Sequence, residues 1–286
     1  MSHRPLASAL AGFGTVAALA LAVPGATAAP ADGWAPADSA AITPGVQTYT
    51  EGGQCTANFV FTDAADKVYL GQAAHCSGTS GSTSTNGCES GTLPLGTRVT
   101  FNEGGSLLSE GTQVGAGTLV YSSWNTMQDI NETDADTCAY NDFALIEVDA
   151  ADVGKVNPSI PFWGGPVGIN TDGTSAGDRV YSYGNSSLRG GLEPLSPKTG
   201  TSLGSSGGGW THALYTLSPG VPGDSGSAFL DGEGRAVGTL STLGLAPLPA
   251  SNNIGDLSRE LAYAQQHSGI AGLELVEGTE PFSPVL

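Results

Sequence analysis

Basic residues are scarce: nine Lys and Arg stand against twenty-seven Asp and Glu, a net charge of −18. A surface of that sign repels polyanions, which argues against nucleic acid and anionic membrane surfaces as partners. Charge of either sign is thin, at 13% of residues, yet 39% are hydrophobic, so the chain does not have the composition that leaves a polypeptide unfolded. The four cysteines include no Cys-x-x-Cys pair, so the usual zinc and redox signatures are missing. Long apolar runs are absent too, with one exception near the N-terminus. Glycine, at forty-three of 286 residues, is what the chain has in quantity, and it suits a loop-rich all-β protein long enough to bury a sizeable core.

The exception runs from Leu6 to Val23. It follows His3-Arg4, is weakened by Gly12 and Gly14, and gives way to Pro24-Gly25 and Ala26-Thr27-Ala28. A short basic start, an apolar centre and small residues at the end are the layout of a secretory signal, here cleaved after Ala28. The run is marginal for a membrane anchor, and one arginine does not make a twin-arginine signal. A secreted protein without membrane contact after cleavage is expected, and an oxidising destination makes disulfides the expectation for Cys55, Cys76, Cys88 and Cys138. Three pairings are possible. Residues 29–46, small and proline-containing, read as a flexible leader segment or short propeptide.

The chemistry concentrates in Pro222-Gly223-Asp224-Ser225-Gly226-Ser227-Ala228. A serine hydroxyl is inert at neutral pH until a base takes its proton, and the oxyanion it creates needs backbone N–H donors converging on one point. Flanking glycines permit that convergence, because a residue without Cβ reaches backbone conformations closed to others. Alone, the run is also an ordinary turn. Its partners are His75, in Leu70-Gly71-Gln72-Ala73-Ala74-His75-Cys76, and Asp142, in Tyr140-Asn141-Asp142-Phe143-Ala144-Leu145-Ile146.

Together the three stretches resemble the chymotrypsin-like (trypsin-fold) serine proteases, in their bacterial secreted branch. The order His, Asp, Ser is that of the family, and Ser241, sixteen residues after Ser225, falls where bacterial members carry a serine behind the catalytic aspartate. The resemblance covers about residues 45 to 267. It implies His75 as general base, Asp142 as its orienting partner, Ser225 as nucleophile, and the N–H groups of Gly223 and Ser225 as oxyanion hole. It also favours the disulfide Cys55–Cys76, leaving Cys88–Cys138; closing the first loop contributes about 3 kcal/mol on the chain-entropy estimate. No cofactor and no metal are implied; the partner is a protein or peptide substrate, and the enzyme is expected to be a monomer.

The implied fold is all-β, two antiparallel six-stranded β-barrels with a C-terminal helix. Short β-type runs at 57–61, 67–70, 97–101, 117–121 and 144–148 fit a first barrel over about 47–152. Runs at 179–183, 213–217, 228–230 and 236–240 fit a second, over about 160–250. Leu257, Leu261 and Ala264, with Ile254 before them and Asp256 as cap, predict one helix over about 254–266. The protease domain is thus 47–267, and 268–286 is expected to be an extended, partly mobile tail.

Two departures from the family pattern stand out. No Ile-Val-Gly-Gly-like sequence follows a basic residue, so a new N-terminus pairing with Asp224 is unsupported. Where bacterial relatives place an arginine to hold that aspartate, this chain has Ser182, with Arg179 and Arg189 nearby as candidates. For specificity, the resemblance points to Pro219, Leu240, Ser241, Thr242 and Leu243. Pro219 stands where an aspartate would select Lys or Arg, Leu240 where glutamate-specific relatives have histidine, and Leu243 where a glycine would leave the pocket open. Cleavage after small or medium apolar residues is the expectation.

Other signals are weaker. Asp129, Asn131, Thr133, Asp134 and Asp136 alternate like a calcium loop but lack its sixth-position glycine and twelfth-position glutamate, so a solvated acidic loop is expected. His212 and His267 are assigned no role. The rival readings are a protease-fold binding protein without turnover and a serine hydrolase that prefers esters.

Overall fold

The computed structural model describes Met1 and residues 33–51, 53–79, 86–244 and 250–284. The expected signal segment, 1–28, lies outside these residues apart from Met1.

The first barrel is built from β1 (Gln47–Thr50), β2 (Gly53–Thr56), β3 (Val60–Thr62), β4 (Val68–Gln72), β5 (Arg98–Glu103), β6 (Thr112–Ser122) and β7 (Ala144–Val148). In the sheet they run β3-β4-β7-β6-β5-β1-β2, all antiparallel. β2 and β3 are two halves of one bent strand: between them Ala57 N–H donates to Val46 O (2.9 Å) and Asn58 N–H to Gly71 O (2.8 Å). Through that bend the chain bonds both the segment before β1 and β4, which lie towards opposite ends of the sheet.

Alternation decides what each face meets. Along β4, Val68 and Leu70 point into the barrel among Val60, Val99, Phe101, Leu119 and Ile146. Tyr69 points the other way, with Phe61, Phe143 and Leu145, onto Tyr181, Ala228, Leu230, Leu257 and Leu261 of the second half. This shared cluster makes the contact between the two halves apolar and fixed, which a site divided between them requires.

The second barrel is closed, in the order β10-β13-β12-β11-β8-β9. Its strands are β8 (Arg179–Tyr183), β9 (Pro197–Ser206), β10 (Thr211–Thr216), β11 (Ala228–Asp231), β12 (Ala236–Gly244) and β13 (Ser251–Asp256). Val180, Leu214, Phe229, Val237, Leu240 and Ile254 fill it.

Five expectations are corrected. There are three α-helices among the described residues, not one: α1 (Ser123–Ile130) and α2 (Ala135–Tyr140) precede α3 (Leu257–His267). The acidic stretch belongs to the ends of the first two. Asn131 closes α1 in the left-handed region (φ 55°), and Asp134 caps α2 by accepting the Thr137 N–H. α3 starts at Leu257 because Asn252-Asn253-Ile254 are held in β13 between β10 and β12; Asp256 is its N-cap, accepting the Arg259 N–H.

The described part of the leader, 33–46, is packed, not flexible: Ala35 N–H donates to Val156 O, Ile42 N–H to Lys155 O, and Ile42 is wholly buried in the first core. The tail is structural as well. β14 (Glu274–Leu275) pairs with the free edge of β3, and Leu273, Leu275 and Val276 are buried. The edge of β3 is thereby covered, which removes a row of unpaired backbone groups.

Candidate active site

His75 sits in the short 3₁₀ turn Ala74–Ser77 directly after β4, and the Cys55–Cys76 disulfide ties that turn to β2. Asp142 lies in the loop between α2 and β7, whose start is anchored by the second disulfide, Cys88–Cys138. Both disulfides are those the family resemblance favours.

The two side chains meet. His75 Nδ1 is 2.7 Å from Asp142 Oδ2, and the His75 N–H donates to Oδ1 at 2.8 Å, so one carboxylate fixes both ring and backbone. Ser241 Oγ, from β12 in the second barrel, donates to the same Oδ2 at 2.6 Å. Asp142 is buried, while the His75 ring keeps about a quarter of its surface open (23%). Burial pulls the imidazole pKa down, but the Asp142 charge and hydrogen bond outweigh it and leave His75 above its ordinary value. Burial likewise pushes the Asp142 carboxyl up; the His75 charge and its hydrogen bonds, with that of Ser241, overcome this and hold it below the usual range.

Ser225 stands in the turn before β11, half-buried, at the junction of the barrels. Its carbonyl accepts the Thr56 N–H at 2.8 Å, and the next N–H, of Gly226, donates to Leu240 O at 2.7 Å. Gly226 has φ 88°, and a Cβ there would meet Thr56 O at 2.5 Å and Ala73 N at 3.0 Å, so only glycine lets the turn close this tightly on the His75 loop. Among the described residues Ser225 Oγ makes no hydrogen bond.

The peptides around Ser225 are aimed by named partners. Ser186 Oγ donates to Pro222 O (2.5 Å); Thr56 Oγ1 and Gln54 Nε2 donate to Gly223 O (2.7 and 3.0 Å); Ser227 N–H donates to Asp224 O (3.0 Å). In a trans peptide the N–H points opposite its C=O, so fixing the Pro222 and Asp224 carbonyls also fixes the N–H groups of Gly223 and Ser225. Neither N–H has an acceptor among the described residues. Gly223 reaches this geometry at φ 93°, and a Cβ there would collide with Gln54 Oε1.

Asp224, wholly buried beside Ser225, is held from four sides. Arg189 Nη2 lies 2.8 Å and Lys198 Nζ 3.1 Å from Oδ2; the N–H groups of Ser186 and Val221 donate to Oδ1 and Oδ2 at 3.0 and 3.1 Å. The Lys198 contact lies off the line of a hydrogen bond and acts through charge. Burial lowers the lysine pKa, Asp224 raises it again, and the neighbouring Arg189 charge lowers it further, leaving Lys198 below an ordinary lysine. Of the two arginine candidates, Arg189 is the one that reaches Asp224; Arg179 is exposed at the start of β8. Lys198 was not legible in the sequence as a partner, although it is cross-strand from Ser182, the position of the family's arginine.

Residues singled out for specificity divide. Pro219 O accepts from Arg189 Nη2 (2.9 Å), which ties Pro219 to the Asp224 cluster. Ser241, Thr242 and Leu243 lie along β12, with Leu243 half-exposed. Leu240 instead belongs to the barrel core and backs Gly220. Asn252, absent from the sequence reading, is buried beneath Gly220: its Oδ1 accepts the Gly220 N–H at 2.8 Å. A polar residue flanked by Ser251 and Asn253 in a strand was the available signal.

By sequence the chain matches no family model and no curated protein. In three dimensions it is similar to Thermobifida fusca protease A, at 18% identity and a TM-score of 0.51, over 83% of this chain and 99% of that one. A Nocardiopsis protease (18% identity, TM-score 0.46, 82% and 98% covered) and a Cellulomonas bogoriensis chymotrypsin (17%, 0.45, 82% and 98%) are also among the matches. The chain has the trypsin-like double-barrel fold of the bacterial chymotrypsin-like proteases.

Proposed function

We propose that the chain is a serine endopeptidase acting through Ser225, His75 and Asp142. The observation that carries this reading is the buried Asp142 carboxylate, which takes His75 Nδ1 at 2.7 Å and Ser241 Oγ at 2.6 Å on one oxygen. That arrangement turns the free ring nitrogen into a base directed away from Asp142 and stabilises the imidazolium that forms.

The steps follow. Ser225 Oγ attacks the scissile carbonyl and its proton passes to His75 Nε2; the new oxyanion is met by the N–H groups of Gly223 and Ser225. His75 returns the proton to the leaving amine, giving an acyl-enzyme, and water then repeats the sequence. None of these steps calls for a metal or cofactor. Pro219, Ser241, Thr242 and Leu243, with Asn252 beneath Gly220, support an uncharged and shallow primary pocket, hence cleavage after small or medium apolar residues. The signal-like N-terminus and the two disulfides support a secreted protein.

The test is the intact mass of the purified chain before and after a fluorophosphonate probe, beside Ser225→Ala. One adduct on the wild-type chain and none on the variant is expected. No adduct on folded, oxidised protein sinks the proposal.

A further inference from the structure

We propose that Glu260 is a positioning residue for the His75–Asp142 pair, fixing from α3 the backbone amide that carries Asp142. This rests on the reading of His75, Asp142 and Ser225 as a catalytic triad.

Glu260 is wholly buried, at the i+3 place of the stripe Leu257, Leu261, Ala264 that α3 turns inward. Its Oε1 accepts the Asp142 N–H at 3.2 Å. Room for the carboxyl comes from Gly255, where a Cβ would collide with Oε1. Among the described residues the other oxygen, Oε2, is buried and meets no hydrogen-bond partner, so the Asp142 amide is the group this carboxyl holds. The contact between Glu260 and Asp142 therefore joins the helix to the Asp142 loop. Ser123 secures the flanks of that loop, donating to Asn141 O (2.8 Å) and accepting the Phe143 N–H (3.1 Å). Glu260 holds the residue between them.

A carboxyl group is an odd choice for this place unless it is neutral. The charged and titratable groups facing it are Asp142, Asp256 at the start of its own helix, and Tyr121 from β6. The neighbouring Arg259 turns away, its guanidinium 5.9 Å over the Trp210 ring. Burial first, and the Asp142 charge second, push the Glu260 carboxyl well above the usual range. Protonated, it offers a carbonyl oxygen to the Asp142 amide without placing a second negative charge behind the catalytic carboxylate. Ionised, it would repel Asp142 and tighten the hold of His75 on its proton.

The experiment compares wild type, Glu260→Gln, Glu260→Leu and Gly255→Ala. The readouts are kcat and KM on a peptide anilide, the acid limb of kcat/KM against pH, and the low-field NMR signal of the His75 Nδ1 proton shared with Asp142. Gln keeps the acceptor and is permanently neutral, so kcat within about twofold of wild type and an unchanged proton signal are expected. Leu removes the acceptor and Ala at 255 displaces it, so kcat falls about tenfold at unchanged KM, with a moved acid limb and a shifted proton signal. Leu or Ala variants matching wild type in kcat and signal, whatever their melting temperature, overturn the proposal, as does a folded Gln variant that loses activity. If Leu does not fold, Gly255→Ala decides. Failure of the wild type to turn over peptide sinks the protease reading instead, and the NMR comparison, which needs no substrate, still decides Glu260.

Discussion

Lys198 stands opposite Ser182 in the β8–β9 ladder, and from there its ammonium lies 3.1 Å from the carboxylate of Asp224. Ser182 itself carries no charge, and Arg189 completes the set from the neighbouring loop at 2.8 Å. With Lys198 protonated the cluster holds one positive charge in excess, its Lys198 and Asp224 side chains wholly buried and that of Arg189 mostly so. Such a group is stable only while its geometry is kept, since a buried charge that loses its partner has no solvent to turn to.

The two cations are not equivalent. Arg189 also bonds Ser218 Oγ and Pro219 O, so Arg189→Ala breaks the pair and frees Pro219. A loss of about 3 kcal/mol of stability and about a hundredfold in fluorophosphonate labelling rate is expected. Lys198→Met removes the surplus charge and is expected to be neutral or stabilising, with labelling retained. Urea unfolding and labelling kinetics check both; a Met variant weaker than the Ala variant would reverse the ranking.

Activity should depend on pH through His75. The ring must be neutral to take the Ser225 proton, and its folded pKa is raised above 6.5, so kcat/KM should climb with pH along a limb centred above that value. The same shift makes the protonated ring a stabilising element that is fully present below 6.5 and lost as pH rises through the folded value. In Asp142→Asn only burial remains, and His75 should titrate below 6.5 while kcat falls about 10⁴-fold. NMR titration of the ring and a pH–rate profile test this; an acid limb at or below 6.5 in the wild type contradicts it.

Leu243→Gly should deepen the primary pocket. The side chain is half-exposed on β12, so its removal leaves the core intact. The ratio of kcat/KM for phenylalanine over alanine at the cleaved position should rise at least about tenfold. Wild-type preference for arginine or glutamate would show that the pocket has been misassigned.

What the sequence displayed depended on how tightly chemistry constrains it. The stretches around His75, Asp142 and Ser225 stood out because the roles proposed for them, base, orienting acid and nucleophile, each need a restrictive local setting, and Asp256 did because a helix start needs an acceptor for its open N–H groups. β9 was not, since Pro197-Lys198-Thr199-Gly200-Thr201-Ser202 lacks the apolar alternation that marks a half-buried strand, and its lysine went unread with it. α1 and α2 are eight and six residues long, too short for a periodic stripe to emerge. Glu260 lay inside a correctly expected helix and in phase with its buried stripe, yet a glutamate on a helix reads by default as solvent-facing.

β14 completes the edge of β3, although both barrels and α3 lie between them in the chain. A nascent polypeptide therefore leaves this edge of β3 open until nearly all of the described residues have been made. Pairing over such a separation is slow, because the intervening loop must be closed before the contact repays it. Two of the groups that bond Asp142, Ser241 Oγ and Glu260 Oε1, also come late in the chain.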